Sequence, residues 1–425
     1  MTVAIFLAIL LTSVCIGIPI AFSLLMCGFG LMWYMDMLDP QIVAQSLING
    51  ADNFTLLAIP FFVFAGDIMN VGGLAKRLVD LPMKLVGHKS GGLGYVVIIA
   101  AVIMASLSGS PAADTAAIAA IMFPMMSKAN YPKEGSVGLI ASGGIIAPII
   151  PPSIPFIVIG VTASVSISQL FLAGIVPGLL MGVTLCFVWS LRARRYEAAP
   201  KASAKEIMKS FRSSIWALML PVIIIGGFKT GVFTPTEAGA VASVYALFIS
   251  ICVYRELSLH AIYGALLSTV KTTGVIMMMV AAAQVSAWLM TVADLPGTVI
   301  ELLKPMIDSP KLLLALILVL LTVMGMVLDL IPIVLILVPV LMPLIHEAGI
   351  NEIYFCVMFI ICCSIGLITP PVGNVLNVVS SVTKVPFERS VIGILPYAGS
   401  LLLLLILFLI FPEIIIGPLN FMIVK

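Results

Sequence analysis

Eight stretches of this chain are apolar enough and long enough to cross a lipid bilayer as helices: residues 55–72, 137–163, 169–191, 214–232, 236–253, 262–290, 354–382 and 390–415. About 20 such residues span the hydrocarbon core. Within that core every backbone N–H and C=O must be satisfied by the protein itself, which leaves only helices or a closed barrel. Long runs without alternation of apolar and polar residues select helices. The chain therefore reads as an all-α integral membrane protein, and its 62% hydrophobic and 9% charged residues lie far from soluble-domain values. A further stretch, 3–35, is interrupted by Gly17 and Pro19 and is either one tilted helix or two short crossings. The N-terminal residues lack the basic start and cleavage site of a signal peptide, so they are expected to remain as structure.

Charge supplies the orientation. The segment 192–212, "RARRYEAAPKASAKEIMKSFR", carries Arg192, Arg194, Arg195, Lys201, Lys205, Lys209 and Arg212 and is expected in the cytoplasm. Lys76, Arg77, Lys84, Lys89, Lys128, Lys133, Arg255, Lys384 and Arg389 belong on the same side. A loop at 35–52 holds Asp36, Asp39 and Asp52 without a base and should face outward. The net charge of +2 makes no case for nucleic acid. Seven scattered cysteines (Cys15, Cys27, Cys186, Cys252, Cys356, Cys362, Cys363) show no paired spacing and read as small buried hydrophobes. His88, His260 and His346 are too far apart to suggest a zinc site or a triad, and "VGHKSGG" lacks the glycine frame of a phosphate loop. No enzyme chemistry and no transition-metal site is expected.

Two segments depart from ordinary spans. Residues 93–108 are apolar, 109–114 are turn-like and 115–127 are apolar again, with bases flanking both arms on one side. Arms of about 15 residues rise only about 22 Å, short of the core thickness of about 30 Å. That pattern predicts a helical hairpin entering half-way and returning. Residues 312–326, 327–333 and 334–346 repeat it, with "MGMVLDLIPI" at the tip. Displacing the chain by 219 residues aligns Pro124 with Pro343, Pro151-Pro152 with Pro370-Pro371, and "GIVP" (174–177) with "GILP" (393–396). The flanking charges place the first hairpin's root in the cytoplasm and the second's outside, so the repeats are inverted. Secondary transporters commonly use this arrangement, with substrate and ions bound near mid-membrane at interrupted helices.

Pro151, Pro152 and Pro155 break one span, and Pro370 and Pro371, followed by Gly373 and Asn374, break its counterpart. Carbonyls freed at such breaks are hard oxygen ligands suited to Na⁺. Ser108, Ser110 and Ser153 add hydroxyls at the first break, and Thr369 and the Asn374 amide add oxygens at the second. A lone proline would more simply mean a kink that lets helices pack closely; matched recurrence favours two cation sites. Asp114 reads as the N-cap of "TAAIAAIMF" in preference to a sodium ligand. Asp329, at the second tip, is a functional candidate because intramembrane carboxylates are costly to keep. Lys and Arg are absent from both tips and both breaks. "GVFTPTEAG" (231–239) predicts a capping box, Thr234 with Glu237, opening the next helix.

Together, "IPFFVFAGDIMNVGGLAKRLVDL", "GHKSGGLG", "SLSGSPAADTAA", "IIPPSIPF", "FLAGIVPGLLMG", "GVFTPTEAGA" and "LITPPVGNVL" resemble the large membrane subunit of a tripartite ATP-independent periplasmic (TRAP) transporter, DctM-like, over nearly the whole chain. The resemblance implies an elevator-type importer of organic acids, coupled to Na⁺ and without other cofactors, in the bacterial inner membrane. The sialic-acid branch looks most similar. It also implies two partners: a small four-helix membrane subunit, here expected as a separate polypeptide, and a soluble periplasmic binding protein. The first Na⁺ site would involve Ser106, Ser108, Gly109, Ser110, Pro111, Pro151, Pro152 and Ser153. The second would involve Gly325, Asp329, Thr369, Pro370, Pro371, Gly373 and Asn374. Substrate is expected near Ser110, Asp114, Thr115, Ser153, Asp329 and Asn374.

The expected layout has scaffold and arm helices in 1–92 and 166–311. One transport-domain half would occupy 93–165 (hairpin 93–128, broken helix 137–163), and the other 312–384 (hairpin 312–347, broken helix 354–382). A scaffold helix in 385–425 would close the chain. The competing expectation is a stand-alone sodium/dicarboxylate-type symporter, which would need no binding protein.

Overall fold

Prolines and capping side chains set where the helices begin. The computed structural model describes residues 2–193, 196 and 200–422. Arg194 and Arg195 of the basic segment lie outside the described residues. The first part of the chain forms α1 (Thr2–Ile16), α2 (Ile20–Tyr34), α3 (Pro40–Ala51), α4 (Ala58–Val71), α5 (Leu74–Val86), α6 (Gly92–Ser108), α7 (Pro111–Lys128), α8 (Lys133–Gly144), α9 (Ile154–Thr162) and α10 (Ile167–Ala193). The second part forms α11 (Ala204–Lys229), α12 (Pro235–Phe248), α13 (Leu259–Val292), α14 (Leu295–Ile307), α15 (Pro310–Gly325), α16 (Leu330–Glu347), α17 (Glu352–Gly366), α18 (Asn374–Thr383), α19 (Phe387–Ile410) and α20 (Glu413–Met422).

Among the described residues, seven helices are long and apolar enough to span a membrane: α4 with its leading turn, α10, α11, α12 with its trailing π-turn, α13, α16 and α19. Gly17 and Pro19 do divide 3–35, and α1 and α2 pack side by side. The segment 35–52 is largely helical, contrary to the loop expected. Asp39 caps α3 by accepting from the Gln41 N–H at 2.8 Å, with Pro40 in the first turn. The basic segment is likewise helical from Ala204, where Ser203 and Glu206 form a capping box. The Thr234–Glu237 box opens α12 as expected. The span expected at 390–415 ends instead at Ile410, because Pro412 cannot continue α19.

The repeat is visible element by element: α5 to α10 recur as α14 to α19. Their inversion can be read from α19, whose 24 residues rise about 36 Å. At its N-terminal end Arg389 pairs with Glu134 at 3.9 Å, and Gly393 lies against the Glu134 backbone, just beyond the root of the first hairpin. At its C-terminal end the Ile410 carbonyl accepts from Lys311 Nζ at 3.2 Å, at the root of the second hairpin. The two roots therefore lie at opposite ends of one spanning helix. The first root also touches the basic segment: Ser90 Oγ donates to the Ala193 and Tyr196 carbonyls, each at 2.9 Å. Tyr131 stacks on Tyr196 with centroids 4.3 Å apart.

Helices in lipid gain little from hydrophobic exclusion between them and depend on close contact of small residues. Gly138 of α8 and Gly393 of α19 meet backbone to backbone; a Cβ on Gly138 would lie 2.3 Å from the Gly393 carbonyl oxygen. Gly325 and Gly366 do the same between α15 and α17, where a Cβ on Gly366 would lie 2.6 Å from Gly325. The two hairpins differ here. α6 and α7 pack along each other, whereas α15 leans away from α16 and packs chiefly on α17.

Candidate functional site

Both hairpin tips are tighter than their sequences suggest. The first is only Gly109 and Ser110, because Ser110 adopts an extended backbone and caps α7, with Pro111 at its first position. Asp114 is thus not the N-cap expected of it; it sits one turn inside α7, where its Oδ1 accepts from Ser108 Oγ. Its Oδ2 is buried and, among the described residues, has no hydrogen-bond partner. The second tip is Met326 to Asp329, shorter than 327–333, because Asp329 caps α16 by accepting from the Leu330 N–H at 2.9 Å.

Each tip rests on the break of its own repeat. Gly109 has φ of 61°, and a Cβ there would meet the Pro152 carbonyl oxygen at 2.5 Å, so only glycine lets the tip sit on this break. Ser153 caps α9, accepting from the Phe156 N–H at 3.2 Å, and its hydroxyl donates to the Pro148 carbonyl. In the second repeat the Val372 and Gly373 N–H groups both donate to the Met326 carbonyl at 3.2 Å. The Asn374 amide lies against the Asp329 carboxyl, and Thr369 Oγ1 donates to the Ile365 carbonyl at 2.7 Å.

A cavity of about 510 Å³ joins the two tips. Ser108, Gly109, Ser110 and Pro111 line it from the first tip and Asp329 from the second. Among the residues expected near substrate, Ser110 and Asp329 reach it. Asp114, Thr115 and Ser153 are buried behind the first tip, and Thr115 packs into the space left by Gly144. Asn374 stands behind Asp329. Ser106 is buried one turn below the tip with its hydroxyl on the Ile103 carbonyl at 2.6 Å. Pro151 and Pro152 form the floor under Gly109, and Pro370 and Pro371 lie beside the second tip; both Pro-Pro bonds are cis. Gly325 and Gly373 make backbone contacts rather than presenting side chains.

The opposite wall comes from α4 and α13, which sequence reasoning did not bring to the site. Asp67 and Asn70 of α4 and Ser268, Lys271 and Thr272 of α13 line it. Thr269 Oγ1 donates to Asp67 Oδ2 at 3.3 Å, tying the two helices together. The signal was present: Asp67 lies inside the run 55–72 and Lys271 inside 262–290, and ionisable residues within spans are costly unless used.

Two inverted repeats, with interrupted helices meeting at a cavity between spanning helices, are the architecture of a multi-pass membrane transporter. The family model described as Tripartite ATP-independent periplasmic transporter, DctM component, matches residues 4–414. The chain belongs to this family: it is a TRAP transporter large permease of the bacterial inner membrane. It is 61% identical, over 99% of both chains, to the 2,3-diketo-L-gulonate TRAP transporter large permease protein YiaN of Escherichia coli (strain K12). It is 39% identical, over 93% of each, to the sialic acid TRAP transporter large permease protein SiaM of Vibrio cholerae. The crystal structure of the Alcanivorax borkumensis YdaH transporter shares the fold, with a TM-score of 0.67 over 88% of each chain at 15% identity.

Proposed function

We propose that this permease imports a small organic acid together with Na⁺ by an elevator motion, taking the substrate from a periplasmic binding protein. The observation that carries the proposal is the cavity shared by two inverted tips, each backed by a broken helix. Na⁺ would be held at the first tip by oxygens of Ser108 to Pro111 and the Pro151–Ser153 break, and at the second by Gly325 to Asp329 with Thr369 to Asn374. Charge supports coupling. The cavity's ionisable lining is Lys271 against Asp67 and Asp329, which does not favour an anion until bound cations offset the carboxylates.

The moving body would comprise α6 to α10 and α15 to α19. It takes in α10 and α19, which the expected layout put in the scaffold, because the Gly138–Gly393 contact leaves no room for α8 to slide past α19, and the contact of Gly174 with the Ile149 carbonyl leaves none for the first break to slide past α10. The static body would be α1 to α4 and α11 to α13, with α5 and α14 as connecting arms and the small four-helix subunit packed outside. The substrate would be a sugar acid. A relative named for 2,3-diketo-L-gulonate shares 61% identity and one named for sialic acid 39%, which favours the former chemistry.

The test is uptake into proteoliposomes holding both membrane subunits, with the cognate binding protein outside and a panel of sugar acids, dicarboxylates and sialic acid. Expected is uptake of a sugar acid that falls at least tenfold when the Na⁺ gradient or the binding protein is omitted. Undiminished uptake without the binding protein would mean a stand-alone symporter, and undiminished uptake without Na⁺ would remove the coupling.

A further inference from the structure

We propose that α18 carries the cation bound at the second tip to the cytoplasm, along the oxygens of Asn374, Asn377 and Ser381; this rests on the Na⁺ reading above. These residues fall at i, i+3 and i+7 and so share one face of α18. Val375, Leu376 and Val379 form the opposite face, buried where α18 packs on α7 and α8. The polar face is open, with Asn377 and Ser381 both exposed. α17 rises about 22 Å from its periplasmic start at Glu352. The Val375 N–H donates to the Leu367 carbonyl at 3.1 Å, so α18 begins level with the end of α17. Against a core of about 30 Å, Asn374 and Asn377 are therefore still at hydrocarbon depth. Amides there are costly unless protein or water meets them, and the open face of α18 is accordingly wet.

Hydrogen bonds join this face to the second tip. The Asn374 amide bonds the Asp329 carboxyl. Asn377 Nδ2 donates to the Val372 carbonyl at 2.7 Å, which turns its Oδ1 outward as an acceptor one turn further down. Lys384 follows at the cytoplasmic foot, where it is exposed and screened by solvent. The other repeat has no equivalent. At the 219-residue displacement Asn377 corresponds to Val158 and Ser381 to Thr162. α9 is apolar and buried from Ile154 to Gly160, and the Thr162 hydroxyl is spent on the Val158 carbonyl at 2.8 Å. Because α18 belongs to the moving body, the route and the site it drains stay together through the stroke. A Cβ on Gly66, in the cytoplasmic half of α4, would lie 3.0 Å from the Ser108 Cβ, so the tips stand here on the side where the cation leaves.

The experiment uses the full transporter with its binding protein in proteoliposomes and follows radioactive Na⁺ entering with 2,3-diketo-L-gulonate. The exposed cysteines, Cys15 and Cys252, are replaced by Ser. Ser381→Cys is modified before reconstitution and compared with the same variant unmodified. An aminoethyl thiosulfonate, which adds a positive charge, should slow Na⁺ entry at least about tenfold, and a neutral ethyl reagent less than about threefold. A negatively charged sulfonatoethyl reagent should slow it no more than the ethyl one. If Ser381→Cys is itself inactive, the same comparison at Asn377→Cys decides. Val158→Cys, at the equivalent place in α9, should not react. Equal block by all three reagents, no block by the aminoethyl group, or block by the sulfonatoethyl group alone would overturn the route. Uptake of the acid by the unmodified protein without Na⁺ entry would instead count against the coupling, and this inference would fall with it.

Discussion

The two proline breaks carry the same motif in very different surroundings. Residues 145–153 of the first are buried throughout, whereas Pro371 and Val372 of the second are exposed, Val372 at 40%. The hairpins follow suit: α6 and α7 pack together over the first break, and α15 splays from α16 at the second. The arms differ as well. α5 is fixed by Arg77, which bonds Glu256 (2.6 Å) and lies 3.9 Å over the Tyr254 ring, and by Ser210 donating to Asp80 (2.8 Å). Among the described residues α14 makes no side-chain hydrogen bond to another element, its Thr298 bonding only to Asp294 nearby (3.0 Å). A repeated sequence motif therefore fixes a local backbone shape, and the packing around it decides whether that shape is locked or loose.

The largest effect should separate the glycines of the two breaks. Gly109→Ala forces a Cβ onto a left-handed backbone, costing about 1–2 kcal/mol, and drives it into the Pro152 carbonyl as well. Uptake should fall more than tenfold. Gly373→Ala suffers the same backbone penalty, but its nearest neighbour would be 3.3 Å away, so uptake should fall only a few-fold. Equal losses would remove the contrast between locked and loose tips.

Thiol chemistry should give the next largest difference. A cysteine at Val372, 40% exposed, should react with a water-soluble maleimide at least ten times faster than one at Ile150, 6% exposed. Comparable rates would mean that the first break opens as readily as the second.

Smaller shifts are expected from single ligands. Ser108→Ala removes both a cavity hydroxyl and the donor to Asp114, and should raise the Na⁺ needed for half-maximal uptake about five- to tenfold, in line with about 1 kcal/mol for a lost hydrogen bond. Asn374→Ala, at the looser site, should raise it less. Unchanged Na⁺ dependence in both would take them out of the cation sites.

The smallest effect concerns the anchored arm. The hydrogen bond from Arg77 holds the Glu256 carboxyl below the usual glutamate range. A carboxylate with a lowered pKa contributes stability that is present at neutral pH and fades as pH falls through that lowered value. Glu256→Gln should cost only about 0.5 kcal/mol, because the paired side chains are 22% and 48% exposed. Thermal unfolding should distinguish the variant at pH 7 and merge with wild type once the pH has fallen below that lowered value. A difference that grows on acidification would contradict the ion-pair account.

What the sequence made legible was what proline and charge dictate locally. Pro151-Pro152 and Pro370-Pro371 break helices wherever they stand, and their common offset exposed the repeat. The tip boundaries were less legible because Ser110 and Asp329 compete with their neighbours to cap, and the proline after Ser110 decided the first case. Lys271 and Asp67 were missed for a different reason. Nothing in the pattern of α4 or α13 says that these helices face the tips; that proximity is created only when the repeats close on each other.

The whole account depends on two half-depth units entering from opposite faces. Single cysteines at positions 128 and 346, in right-side-out and inside-out vesicles, address this with a membrane-impermeant thiol reagent. Position 128 should label only from the cytoplasmic side and position 346 only from the periplasmic side. Labelling of both from the same side would contradict the account.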